Sequence, residues 1–108
     1  MLKGHLDAIV LAALDAGPAH GYAIIEEIRR RSEGTFDLPE GTIYPALHRL
    51  EQAGLLRSEW TTPVGGRRRR VYALTRDGSA ALAEKKDRWA RFAGAVEALL
   101  NGTPPCPA

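Results

Sequence analysis

The stretch Leu55-Leu56-Arg57-Ser58-Glu59-Trp60-Thr61-Thr62-Pro63-Val64-Gly65-Gly66-Arg67-Arg68-Arg69-Arg70-Val71-Tyr72-Ala73-Leu74-Thr75 decides the fold. Two strand-like runs, 55–62 and 68–75, flank Pro63-Val64-Gly65-Gly66, whose proline and glycines favour a turn. The reading is a β-hairpin with a flexible tip and four consecutive arginines. Alternation along the second strand sets Arg68, Arg70, Tyr72 and Leu74 on one face, and Arg69, Val71 and Ala73 on the other. Such a run could simply be a solvated charge cluster that keeps an edge strand from pairing. Four adjacent like charges repel one another, however, and a polyanionic partner with phosphates for the guanidinium groups explains them better.

Upstream, residues 40–54 read as a helix with Ile43, Leu47 and Leu50 in one apolar stripe and Gly54 as its C-cap. Pro45 leaves two openings: a start near Thr42, or an earlier start with a kink at the proline. Two further helices precede it. Residues 5–16 carry Leu6, Ile9, Val10, Ala13 and Leu14 at helical spacing, and Gly17-Pro18 ends the pattern. Residues 20–32 read as a second helix with Tyr22, Ile24, Ile25 and Ile28 as its apolar members and Glu26, Glu27 and Arg29 to Arg31 toward solvent. A loop, 34–39, leads on to the third helix.

Downstream of the hairpin, Thr75 is a good N-cap for a last helix over 76–101. Leu82, Trp89, Phe92, Val96 and Leu99 form a seam along it, with Lys85 at one seam position. The expected fold class is mostly α with a small β-hairpin. It comprises a winged helix-turn-helix over 1–75, a long dimerisation helix over 76–101 and a disordered tail over 102–108.

The 108 residues suffice for one core. A net charge of +2 would not point to nucleic acid, but seven of the 15 cationic side chains sit in Arg29–Arg31 and Arg67–Arg70, a clustering that suits phosphates. Cys106 is the only cysteine, so an intramolecular disulfide and a CxxC metal site are excluded. No signal peptide or membrane span is visible, and a cytoplasmic location is expected. His5, His20 and His48 are not at metal-ligand spacing, and no serine elbow, P-loop or GxGxxG occurs, so neither enzyme activity nor a cofactor or metal is expected.

An α-helix fits the major groove and reads bases with its N-terminal residues. Here Thr42 and Tyr44 can hydrogen-bond phosphates or bases, Gly41 lets the backbone approach, Pro45 lies beside them, and His48 and Arg49 follow one turn on. The plain alternative is a core helix with a wet polar face. On the hairpin, Arg67, Arg69 and Arg70 are candidates for salt-sensitive phosphate contact. The last helix is too long for so small a core to cover, and a second copy of the chain is the economical partner. Trp89 is either an anchor of that dimer interface or, with Phe92, a wall of a pocket for a flat aromatic ligand.

H-G-Y-A-I (20–24), G-T-I-Y-P-A-L-H-R-L-E-Q-A-G-L-L (41–56), G-G-R-R-R-R-V-Y-A-L-T (65–75) and the following Gly78 together resemble the PadR-like transcriptional regulators, in particular short members with a single C-terminal helix. The resemblance spans about residues 5–100. It implies a winged helix, a homodimer joined through the last helix, and control of transcription, usually repression. It implies DNA contacts at Tyr22, Thr42, Tyr44, Pro45 and His48, and on the wing at Arg67 and Arg69. Some short members respond to phenolic acids or flat aromatic drugs, and Trp89 is similar to the drug-binding tryptophan of the latter. Arg68 stands where many relatives have another residue and adds charge to the wing. The competing function is a protein-interaction module on the same scaffold, without an effector, since a fold alone does not dictate a function.

Overall fold

Seven elements follow one another along the chain: α1 (Leu6–Ala13), β1 (Ala19–His20), α2 (Gly21–Arg31), α3 (Glu40–Gln52), β2 (Leu56–Thr61), β3 (Arg69–Leu74) and α4 (Arg76–Asn101). They belong to a computed structural model that describes residues 5–63 and 65–102. Val64 of the hairpin tip, and residues 103–108 with Cys106 and nearly all of the expected tail, lie outside the described residues.

α1 is shorter than its apolar pattern predicts. Leu14 is its C-cap, and the chain then closes in tight turns, with Asp15 N–H donating to Ala12 O at 3.1 Å and Gly17 N–H to Leu14 O at 3.2 Å. Gly17 takes φ +144°, a conformation that side chains rarely permit, and delivers Pro18 to an extended path. That path makes β1, which the sequence did not suggest. Ala19 pairs with Tyr72 and His20 with Val71, both antiparallel, so the expected hairpin is the larger part of a three-stranded sheet ordered β1-β3-β2. The hairpin register sets Leu56 opposite Leu74, Ser58 opposite Tyr72 and Trp60 opposite Arg70.

α3 takes the earlier of its two possible starts, at Glu40, so Pro45 stands inside the helix. Lacking an N–H, Pro45 leaves the Gly41 carbonyl without its usual helical donor, a defect held near the N-terminus. The core gathers Val10 and Leu11 of α1, Ile24 of α2 and Ile43, Leu47 and Leu50 of α3, all nearly or fully inaccessible, with Leu56 and Tyr72 closing the sheet side. Each such aliphatic side chain contributes roughly 1.5–3 kcal/mol by leaving water.

α4 begins in a dense joint. Thr75 Oγ1 accepts from Gly78 N–H at 3.0 Å, as the expected N-cap, and donates to Gly54 O at 2.7 Å. Thr75 N–H donates to Leu55 O at 3.1 Å. A Cβ on Gly78 would lie 1.9 Å from that same Leu55 oxygen, so only glycine lets α4 cross the end of α3 here. Leu82 was expected on a dimer seam. It is instead 3% exposed within a single protomer and belongs to the common core, because the first turns of α4 pack on α1. Lys86 Nζ lies 3.3 Å from Asp15 of the turn after α1. Beyond Trp89, whose ring still meets His5, the helix projects from the domain, giving overall dimensions of 56 × 29 × 21 Å.

Candidate nucleic-acid interface

Burying Ile43, Ala46, Leu47 and Leu50 turns the opposite face of α3 outward, so Gly41, Tyr44, Pro45, His48 and Arg49 are exposed and Thr42 half-exposed. Pro39 supplies no side-chain cap, and Glu40 in the first turn sets a carboxylate at the positive end of the α3 dipole. The ring of Tyr44 lies against the backbone of Gly21, where an added Cβ would come within 2.5 Å of it. A glycine at the start of α2 is thus what lets Tyr44 span the two helices. The neighbouring Tyr22 is 59% exposed on the second residue of α2. Thr42, Tyr44, Pro45 and His48 therefore share the outer side of α3, and Tyr22 stands beside Gly21 at the N-terminus of α2.

Arg49 differs from these. It pairs with Asp7 and ties α3 to α1. Arg70 is also engaged: its Nε donates to Ser58 Oγ at 2.8 Å and its Nη2 to Glu51 Oε1 at 3.2 Å. On the same face Trp60 receives the Arg68 guanidinium over its ring at 4.7 Å and that of Arg70 at 5.8 Å. Sequence reasoning missed Glu51, Ser58 and Trp60. The alternation of β2, which sets Ser58 and Trp60 on one face, was the available signal. Arg67 and Arg69 are exposed and, among the described residues, make no ion pair or side-chain hydrogen bond. Partial burial, and secondarily the charge of Arg69, hold His20 below the ordinary imidazole range.

The other arginine run is paired where it stands, three guanidinium groups on two carboxylates. Arg29 lies 2.9 Å from Glu26, Arg30 2.9 Å from Glu27, and Arg31 2.5 Å from Glu27. Arg31 Nη1 also donates to Ala12 O at 3.0 Å. Its two arginine partners hold Glu27 below the usual carboxylate range, chiefly through hydrogen bonds from Arg31 and Arg30. This run was counted with the wing as a phosphate footprint, but its helical spacing to Glu26 and Glu27 makes it a self-contained ion-pair cluster.

Comparison with known proteins places this geometry. The Transcriptional regulator PadR-like family matches residues 10–84. The chain belongs to the PadR-like family of transcriptional regulators. It is 46% identical over 67 residues to the transcriptional regulator Rv3488 of Mycobacterium tuberculosis, covering 62% of this chain and 59% of that protein. Among solved structures it resembles a PadR-like transcriptional regulator from Bacillus cereus, with TM-score 0.81, 28% identity and coverage of 93% and 95% of the two chains. The Bacillus subtilis PadR, solved in complex with operator DNA, shares the fold at TM-score 0.66 and 24% identity, over 73% of this chain and 45% of that one.

In this PadR-like chain the apolar residues at the end of α4 are left uncovered. Trp89 and Phe92 are more than half exposed, Leu99 is 83% and Leu100 79% exposed, and Val96 is partly covered. Trp89 and Phe92 stand 5.8 Å apart at a tilt, and His5 meets the Trp89 ring edge-on at 5.4 Å. The three rings form an open cluster at the root of the projecting helix. No helix among the described residues is long and apolar enough to cross a membrane.

Proposed function

We propose that this PadR-like protein is a homodimeric repressor that binds duplex DNA, with 1–75 as the DNA-binding unit and 76–101 as the dimerisation helix. The observation that carries the reading is the pairing of the outward face of α3, Thr42 to His48, with a wing whose Arg67 and Arg69 have no intramolecular ion partner among the described residues. Tyr22, Thr42, Tyr44, Pro45 and His48 enter or flank the major groove, and Arg67 and Arg69 meet phosphates. Support also comes from the Bacillus subtilis PadR, which has this fold and is bound to operator DNA.

Dimerisation rests on the apolar row Trp89, Phe92, Val96 and Leu99, since a helix face this apolar is rarely left in water. Leu82 has almost no surface left to offer a partner. A second copy crossing at Trp89 would close the His5–Trp89–Phe92 cluster into a pocket for a flat aromatic effector that relieves repression. The deciding experiment recovers bound fragments from genomic DNA and measures affinity for them against salt. The expected result is a near-palindromic site and a steep salt dependence. Retention of no duplex even at low salt would sink the reading and leave the protein-interaction module. Titrating planar aromatic compounds against the protein and its Trp89→Ala variant tests the effector, whose response the variant is expected to lose.

A further inference from the structure

We propose that Glu51, Ser58 and Arg70 form a strut that sets the angle of the wing against α3, and that Arg70 serves DNA binding as a positioning residue through this strut. The proposal rests on the DNA-binding reading and deepens it. Glu51 lies in the last turn of α3, Ser58 in the middle of β2 and Arg70 near the start of β3. Their side chains close a ring. Ser58 Oγ donates its hydrogen to Glu51 Oε2 at 2.6 Å and accepts from Arg70 Nε at 2.8 Å. Arg70 Nη2 donates to the other carboxylate oxygen, Oε1, at 3.2 Å. Both oxygens of Glu51 are thereby engaged, and the Ser58 hydroxyl acts as donor and acceptor at once.

The position of this ring gives it a purpose. Backbone pairing joins β2 to β3 but does not fix the angle of the hairpin to α3. The core does that at the base, through Leu56 and Tyr72, and β1 holds the sheet as far out as Val71, which pairs with His20. Farther out, the inner face of the hairpin carries Trp60, Arg68 and Arg70, none of them buried. The ring is where that outer half is fastened back to α3. Trp60 extends the fastening, because it lies opposite Arg70 in register and holds Arg68 over its face at 4.7 Å. Arg67 and Arg69 are then presented from a wing held at one angle, and less ordering is left to be done on binding.

The test uses the sign of a charge effect. Glu51→Gln removes a negative charge beside the wing. If only Coulomb attraction mattered, affinity for a mixed-sequence DNA duplex at low salt would rise and its salt dependence would steepen. With a strut, affinity falls by about tenfold, as expected for losing a charge-assisted bond. The salt slope also becomes shallower by about one as a wing phosphate contact is lost. Ser58→Ala leaves the charge unchanged and is expected to move both readouts in the same direction by less. A Glu51→Gln protein that binds as well as the parent, or better, overturns the proposal. A second measurement needs no DNA. With Trp89→Phe as background, Trp60 is the only tryptophan of the two in the chain. Glu51→Gln is expected to increase acrylamide quenching of Trp60, and unchanged quenching overturns the strut. Should the parent protein bind no duplex, the functional reading fails while this measurement still decides the strut. Should Glu51→Gln fail to fold, Ser58→Ala carries both measurements.

Discussion

Arg29, Arg30 and Arg31 end α2, and Arg67 to Arg70 lead into β3. In the first run every guanidinium meets Glu26 or Glu27 three or four residues earlier. In the second, Arg70 reaches across to α3, Arg68 lies over Trp60, and Arg67 and Arg69 make no ion pair among the described residues. Backbone geometry accounts for the difference. A helix brings residues three and four apart onto one face, so a carboxylate pair just upstream engages the arginines that follow. A strand separates neighbours by face and extends the chain, so its charges must find partners on another element or outside the molecule. Equal arginine density in sequence thus becomes a closed ion-pair cluster in one place and open cationic surface in the other.

The wing gives the largest expected effect. Replacing Arg67 and Arg69 together by alanine should weaken duplex binding by at least about tenfold in moderate salt and lower the salt slope by about two, as for lost phosphate contacts. Arg29→Ala with Arg30→Ala should change affinity by less than about threefold, since side chains already paired on the surface release few counterions. Equal losses in the two double variants, measured by fluorescence anisotropy, would break the comparison.

Arg31→Ala should act on stability instead. It removes the bond to Ala12 O that ties α2 to α1, at a cost of roughly 1 kcal/mol after allowance for screening. For a domain of this size that is about 4–8 °C in Tm, read by thermal unfolding with DNA affinity unchanged.

Glu27→Gln sharpens the same contrast. With Arg30 and Arg31 released, binding to mixed-sequence duplex at low salt should rise by about twofold. The folded-state carboxyl titrates below its ordinary range, so its contribution to stability is present above that range and is lost as pH falls through the folded value. The acid limb of the stability profile should therefore be flatter in the variant.

The smallest effect concerns His20. Its pKa lies below the ordinary 6.5, first through burial and then through Arg69. Folding favours the neutral ring, so stability declines as pH drops below about 6.5 and levels off beneath the folded value. Arg69→Ala should raise that folded value, as read by NMR titration of the imidazole. No movement would mean that the Arg69 charge is not felt at the sheet.

Local patterns made most of the fold legible. The Ile43–Leu47–Leu50 stripe, the pairing of the two hairpin strands and the Thr75 cap all follow from short stretches of sequence, and the structure has them. β1 was hidden because two residues show no alternation, and its partners, Val71 and Tyr72, lie far along the chain. The role of Leu82 was hidden because helical spacing says which face is apolar, not where a helix leaves its own domain. At the site, the exposed side of α3 followed from its buried side. The engagement of Arg49 by Asp7 and of Arg70 by Glu51 did not, since those pairs join elements 42 and 19 residues apart. The pairs inside α2 lay within reach of the helical rule, because Glu26 and Glu27 stand three and four residues before the arginines they hold.

The joint at Thr75 and Gly78 gives the projecting helix mechanical leverage. α4 has 26 residues, and at 1.5 Å each it is an arm of about 39 Å. One end is clamped to Gly54 and Leu55, between α3 and the root of the wing, and the first turns are packed on α1. A tilt of about 10° at the clamp would sweep the free end through roughly 7 Å of such an arm. Run in reverse, the gearing converts a broad displacement near Leu99 into a small rotation at the junction of α3 and the wing. A push applied near Leu99 would thus arrive as a fine adjustment of α3 and the wing together.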